Sequence, residues 1–385
     1  MKRITIPRLP GTGKLFLIIV AIGTLYLLML LIFSPTTQFM GIRKVVSVDD
    51  IAVNVTGPIL VDKVSLSDAL RYIPHSTVQT WKERDYLIVF GIPSMDVDGR
   101  RRRRYLQRTT CWQFPGVATR SNNFTGSMLV LYVLARHPSK GYEYSAPLVE
   151  EANEYHDVIT FPTNEGVSNT NKLYSGGGFW GVEAEIAMSR KTYLWLELAL
   201  RLFPNTSYIT KADDDMFLRV PQFLVDLRTL PRHGIYWGNL VWSNYPKRFV
   251  FIVGFCMTVS RDVAEQVVSY KPLQDLVRLP YSKEREAEFL SLNMDHEDVL
   301  VGRVLYELQY TRLLYVSERK CRFHDIVYGP HYFPLSGKSV LIHHIKEHEY
   351  AWLMWRFNKS KIPIPVRYRV PPHYKRKRNR IQFDC

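Results

Sequence analysis

The sequence predicts a mixed α/β domain, built on a largely parallel, doubly wound sheet and standing behind an N-terminal membrane helix. Three observations carry this expectation: a charge-free apolar run near the start, a series of short apolar runs rich in β-branched and aromatic residues, and amphipathic stretches of helical period between them. The first run, LFLIIVAIGTLYLLMLLIF, covers residues 15–33. As a helix rising 1.5 Å per residue it matches a hydrocarbon core of about 30 Å. Lys2, Arg3, Arg8 and Lys14 precede it and no base follows before Arg43, so the positive-inside rule leaves residues 1–14 as a cytosolic tail and the rest across the membrane. A cleaved signal peptide is the alternative; its apolar region is normally about 7–15 residues, and no small-residue cleavage site follows Phe33.

Residues 34–80 hold Pro35, Pro58 and Pro74 without a long periodic run, and read as a stem. A globular domain follows over 81–360. YLIVFGI (86–92) and SMLVLYVLA (127–135) read as buried strands, with DVITF (157–161) and SYITKA (207–212) as shorter ones. Residues 182–203 place Ile186, Leu194, Leu198, Ala199 and Leu202 at helical spacing, and Pro204-Asn205 closes that helix. YWGNL (236–240) and FVFIVGF (249–255) continue the sheet, with helices from near Pro221, at about 260–270 and at 297–309. Proline and base dominate 361–385, which reads as a loosely ordered basic tail.

The 51 Lys+Arg against 36 Asp+Glu leave a surplus of fifteen positive charges. Residues 1–14, the run Arg100–Arg104 and residues 366–385 account for all of it, so the remainder is balanced. A nucleic-acid-binding fold would spread its excess over one face, and that class is excluded. Cys111, Cys256, Cys321 and Cys385 lack C-x-x-C spacing, which removes zinc-ribbon and thioredoxin-like readings; in an oxidising lumen two of the first three could pair. N-x-S/T acceptors stand at Asn54, Asn123, Asn205 and Asn358, all on the side the topology makes lumenal.

Four places could carry chemistry. Lys211-Ala-Asp213-Asp214-Asp215 follows a predicted strand, where a doubly wound sheet places its ligand crevice. Adjacent carboxylates repel unless a cation neutralises them, and Mg²⁺ or Mn²⁺ suits hard oxygens; a solvated acidic loop is the alternative. Glu297-Asp298 opens a helix, either complementing its dipole or supplying a general base for a hydroxyl nucleophile. His343, His344 and His348 lie among apolar residues, as metal ligands or as packed imidazoles. Tyr236, Trp237, Trp242 and Tyr245 around Gly238 offer flat faces to sugars or fill a core, and Gly254 would let a ligand approach the backbone.

In order along the chain, Arg104-x-x-x-Arg108-x-Thr110-Cys111-Trp112, LVLYVLA, Tyr155-His156-Asp157, Lys211-Ala-Asp-Asp-Asp-Met-Phe, the stretch from Tyr245-Pro to Gly254 and Ser260, and Glu297-Asp298-Val-Leu-Val-Gly302 resemble the β-1,3-glycosyltransferase family, in the manner of divergent, trypanosomatid-like members. The order holds over about residues 86–355. The resemblance implies a GT-A-type, Rossmann-like nucleotide-sugar-binding domain. It further implies an inverting, single-pass type II Golgi enzyme, its catalytic domain lumenal, transferring galactose or N-acetylglucosamine from UDP-galactose or UDP-N-acetylglucosamine. The acceptor would be a glycan on a glycoprotein or glycolipid, and the cofactor Mn²⁺ or Mg²⁺. By the same resemblance Asp215, with Asp213, binds the metal together with His344, His343 being the second choice; Asp213, Asp214, Arg104, Arg108 and Lys211 face the donor; Asp298 is the base with Glu297 beside it; and Trp237, Trp242, Tyr245 and Gly254 meet the acceptor or sugar. Two rival classes share these residues: a membrane-tethered, non-catalytic glycan-binding protein, and a metal-dependent phosphohydrolase.

Overall fold

The computed structural model describes residues 65–171, 180–244, 247–358, 362–370 and 379–385. The expected anchor at 15–33, most of the stem, Asn54, Tyr245 and the bases Lys375–Arg378 lie outside the described residues. Among the described residues no helix is long and apolar enough to cross a membrane.

The strands in chain order are β1 (Ile88–Pro93), β2 (Val117–Ala118), β3 (Met128–Arg136), β4 (Val158–Asn164), β5 (Tyr208–Ala212), β6 (Met216–Leu218), β7 (Ile235–Gly238), β8 (Leu240–Ser243), β9 (Phe249–Ile252), β10 (Cys256–Ser260), β11 (Leu314–Ser317), β12 (Phe323–Asp325), β13 (Leu341–His343), β14 (Tyr368–Arg369) and β15 (Arg380–Phe383). A large sheet runs β14-β15-β11-β7-β10-β5-β1-β3, with β2 and β4 both on the outer edge of β3. Only β10 and β14 run against the others. The carboxyl ends of β1, β3, β4, β5, β7, β11 and β15 therefore share one edge. β6, β12 and β13 form a small second sheet beside it, and β8 and β9 a two-stranded ribbon.

The helices are α1 (Leu66–Ala69), α2 (His75–Glu83), α3 (Asp98–Thr109), α4 (Ala146–Tyr155), α5 (Val182–Leu202), α6 (Val220–Arg228), α7 (Arg261–Ser269), α8 (Lys271–Arg278), α9 (Glu286–Ser291), α10 (Glu297–Glu307) and α11 (Glu347–Asn358). One apolar cluster takes side chains from α2, α5, α7 and α10, and a second from α4, α6 and α11, with sheet residues in both. Neighbours along a strand divide between them: Leu129, Leu131 and Val133 of β3 belong to the first cluster, Val130, Tyr132 and Leu134 to the second. This is the alternation of a sheet covered on both faces, and it explains why β3 is apolar throughout. At Gly91 on β1 an added Cβ would lie 2.1 Å from the Trp195 ring of α5, so glycine lets that helix press onto the sheet. The Trp195 indole N–H then donates to the Thr210 carbonyl of β5 at 2.8 Å.

Three boundaries differ from the sequence reading. The stem does not reach residue 80: Ala69 and Trp81 are fully enclosed, and α2 belongs to the domain. An indole buried to that extent stabilises by about 2–3 kcal/mol, which outweighs the short, weak periodicity of the segment. Residues 379–385 are not a loose tail either. β15 pairs in parallel with β11, Phe383 is fully buried, and Cys385 is disulfide-bonded to Cys321. This corrects the expected pairing among the first three cysteines; Cys111 and Cys256 are free and enclosed in the core. Finally, the run 249–255 is not one strand. β9 stops at Ile252, and after a turn β10 returns between β5 and β7.

Candidate active site

The acidic turn is placed by three strands. β5 delivers Lys211 and ends at Ala212, so Asp213–Asp215 sit at the carboxyl edge of the sheet, and β6 leads the chain away. β13 pairs antiparallel with β6 and sets His343 opposite Met216; β12 pairs with β13 and sets Asp325 opposite His343. His343 Nε2 thereby lies 3.1 Å from Asp215 and 3.4 Å from Asp213, while its Nδ1 meets Asp325 at 2.8 Å. His344 adopts a left-handed backbone with φ 58°, and the two rings lie tilted by 34° with centroids 3.8 Å apart. A non-glycine residue held left-handed is strained, and such strain clusters at functional sites. His344 Nδ1 approaches the other Asp325 oxygen at 3.4 Å.

The three carboxylates of the turn have separate partners. Asp213 accepts from Lys211 at 2.6 Å. Asp214 accepts from Ser94 at 2.8 Å and from Arg100 and Arg103 of α3. Asp215 faces His343, with Arg103 at 4.0 Å. Burial alone would raise the Asp213 and Asp215 pKa values; Lys211 for the first and His343 for the second outweigh it and hold both below the carboxylate range. Burial alone would likewise lower His343, but Asp215 and the hydrogen bonds to Asp213, Asp215 and Asp325 lift it well above the ordinary histidine value.

One oxygen of Asp215 and one nitrogen each of His343 and His344 lie within 4.8 Å of one another. A carboxylate with two imidazoles is a donor set for a first-row divalent ion, and Asp325 orients the rings as outer partners of metal-bound histidines do. These residues fit Mn²⁺ better than Mg²⁺, which favours oxygens throughout. Both histidines stand in this cluster with Asp215, where the sequence reading put His344 ahead of His343.

A second group sits beside the turn. Lys211 Nζ donates to Glu297 at 2.5 Å and to the Gly254 carbonyl at 2.9 Å. Burial would discourage the lysine charge; Asp213 and Glu297 outweigh it and raise its pKa. Asp298, next along α10, accepts from the Gly254 N–H at 3.0 Å and from the Val299 N–H at 2.7 Å. Burial, followed by the charge of Glu297, raises the Asp298 carboxyl to about 7.

Several expected contacts are corrected. Arg104 is fully buried and gives a two-pronged hydrogen bond to Glu151, at 2.8 and 2.7 Å, so it cannot reach a ligand. Arg108 joins Glu151 and Asp157, both at 2.7 Å, and is equally structural. Trp237 is enclosed, stacked 4.8 Å from Phe223 with its N–H on Glu318, and presents no face to a sugar. Lys211 is buried as well and acts by fixing Asp213 and Glu297. Gly254 is needed by the protein itself: an added Cβ would lie 2.2 Å from the Glu297 carboxylate. Trp242 is 41 % exposed on β8 with the Arg248 guanidinium 4.7 Å over its ring. Arg100, Arg103, Ser94 and Asp325 were not singled out. The arginines were hidden in a run of five whose facing only a helix resolves, and the His-Asp pair at 324–325 carries no spacing signal.

Comparison with known protein families and with curated proteins finds no match for this chain.

Proposed function

We propose that the protein is a metal-dependent, inverting glycosyltransferase, a type II Golgi membrane enzyme that transfers galactose or N-acetylglucosamine from a UDP-sugar to a glycan acceptor in β-1,3 linkage. One observation carries the reading: a carboxyl raised to about 7, Asp298, stands next along α10 to Glu297, which Lys211 ties to Asp213 of the acidic turn, and that turn carries the Asp215–His343–His344 cluster at the carboxyl edge of a mainly parallel sheet. A base with a pKa near working pH is the one that moves a hydroxyl proton efficiently. Asp215, His343 and His344 would hold a divalent cation, whose chemistry is to neutralise the diphosphate of the donor. The chain's own residues do the rest. The acceptor hydroxyl passes its proton to Asp298 as its oxygen bonds to C1; the C1–O bond to phosphate breaks, and UDP leaves with the electron pair. Arg100 and Arg103 hold Asp214, while Lys211 fixes Asp213 against Glu297, so the acidic turn keeps its shape.

The test is a panel of radiolabelled UDP-sugars with Mn²⁺, offered β-galactosides and β-N-acetylglucosaminides. We expect transfer from one donor, lost on chelation, and a fall of about a hundredfold or more in Asp298→Asn, in keeping with loss of a general base. Near-wild-type turnover in that variant would overturn the assignment of the base. No transfer from any donor would favour a glycan-binding role on the same fold.

A further inference from the structure

Away from the acidic turn, a cleft of about 750 Å³ opens where β7, β11 and β15 end, lined by Asn239, Ser317, Arg319, Lys320, Lys338 and Arg380 and walled by the Cys321–Cys385 disulfide. These are carboxyl ends of parallel strands, on the same edge of the sheet as Asp213. Two backbone links tie the cleft to the candidate active site. The Asn239 carbonyl accepts from the Val253 N–H at 2.9 Å, and the next residue, Gly254, donates to Asp298. On the other side Phe333, a wall residue, donates from its N–H to the Asp325 carbonyl at 3.3 Å.

The lining is one-sided in charge. Among the described lining residues Arg319, Lys320 and Lys338 stand with one acidic side chain, Glu318, and its carboxylate is already engaged by Trp237 at 3.0 Å and Arg322 at 2.8 Å. Lys320 donates to the Pro330 carbonyl, and among the described residues no carboxylate lies within ion-pair distance of Arg319, Lys320 or Lys338. The other large cavity, about 270 Å³ between β4 and α5, shows what a balanced site looks like here: Arg136, Arg190 and Arg278 stand with Glu165, Glu183 and Glu197. Unpaired bases at the rim of a concave site select anions, by charge-assisted hydrogen bonds and by focusing the field.

We infer that this cleft is an acceptor subsite for a glycan carrying an anionic group, a phosphate, sulfate or carboxylate. Its role as an acceptor subsite rests on the transferase reading, whereas its preference for anionic sugars does not.

The experiment measures binding of galactose, galactose 6-sulfate, galacturonic acid and inorganic sulfate to the full-length chain in detergent, by calorimetry or saturation-transfer NMR. The charged sugars should bind about tenfold or more tighter than galactose at low salt, with the margin shrinking as salt rises. Arg319→Gln with Lys338→Gln, both at exposed positions, should remove the margin, and Lys338→Glu should reverse it. Equal binding of neutral and charged galactose, or a margin intact in the double variant, overturns the inference. Inorganic sulfate binding as tightly as galactose 6-sulfate also overturns it, since the site would then read a free anion. An intact margin without transfer from any UDP-sugar would uphold the anionic site and refute the transferase reading.

Discussion

At the scale of single residues, Asp298 joins activity and stability with opposite signs. As the proposed base it would work only when ionised, so turnover should rise with pH through about 7 and level off above it, which a pH–rate profile of initial velocities would show. For folding, a carboxyl whose folded pKa lies above its unfolded value makes the native state bind the extra proton. Its contribution is favourable below about pH 4 and is lost as pH rises towards 7. Asp298→Asn should therefore melt no lower than wild type at pH 8 while losing transfer; a fall in melting temperature there would contradict the raised pKa. Gly254 gives the converse case. Its missing side chain is the space that Glu297 occupies, so Gly254→Ala should destabilise by about 1–3 kcal/mol in denaturant titration and reduce turnover by displacing the neighbouring N–H on Asp298. The acid triplet and the Glu297-Asp298 pair were legible in the sequence because carboxylates are conspicuous there. Asp325 was not, because only the register of β12 against β13 brings it to His343.

At the scale of elements, α3 shows how one helix divides a charge run between two tasks. Arg104 and Arg108, four apart, point to Glu151 of α4 and Asp157 before β4, whereas Arg100 and Arg103, three apart, point to Asp214. At 3.6 residues per turn Arg103 and Arg108 lie on different sides of α3, while Arg100 and Arg104, four apart, share a face on successive turns, so the run is divided both around the helix and along it; a linear motif that includes Arg104 and Arg108 shows neither. Arg104→Met should cost about 3 kcal/mol, because Glu151 loses a buried bidentate partner, and, on the proposed transferase reading, leave the KM for the UDP-sugar of the remaining folded protein unchanged. Arg103→Gln should leave the melting temperature nearly as it is and raise that KM several-fold. The reverse pattern would return Arg104 to the donor site. Strands β1, β3, β4 and β5 and helices α5, α6, α7 and α10 were legible within a few residues, since each is a run of clear period or continuous apolarity. β10 escaped notice because Cys-Met-Thr-Val-Ser is short and its reversed direction is decided by its neighbours, β5 and β7.

At the scale of the molecule, the surplus positive charge read from the sequence is less available than its sum suggests. The arginines of α3 are largely spoken for by carboxylates, whereas among the described residues Arg319, Lys320 and Lys338, which line the cleft at the ends of β7, β11 and β15, have no carboxylate within ion-pair distance. The disulfide that walls this cleft closes a span of 64 residues, and constraining an unfolded loop of that length contributes about 2–4 kcal/mol. Cys385→Ser should lower stability by that amount in equilibrium unfolding under oxidising conditions, and the difference should vanish for both proteins in reductant. A difference that persists in reductant would point to packing of β15 instead. The order of strands in the sheet was beyond sequence reasoning for the same reason as the disulfide: both depend on contacts far apart along the chain.

β15 also imposes a timetable. It is synthesised after every other described strand, yet it covers β11, which was made more than sixty residues earlier and pairs with β7 on its other side. While the ribosome is still adding the intervening residues, β11 offers an unsatisfied edge to any neighbouring chain. Nascent molecules are thus open to mispairing while residues 318–379 are being added, and the fold itself closes that edge only when residues 380–383 arrive.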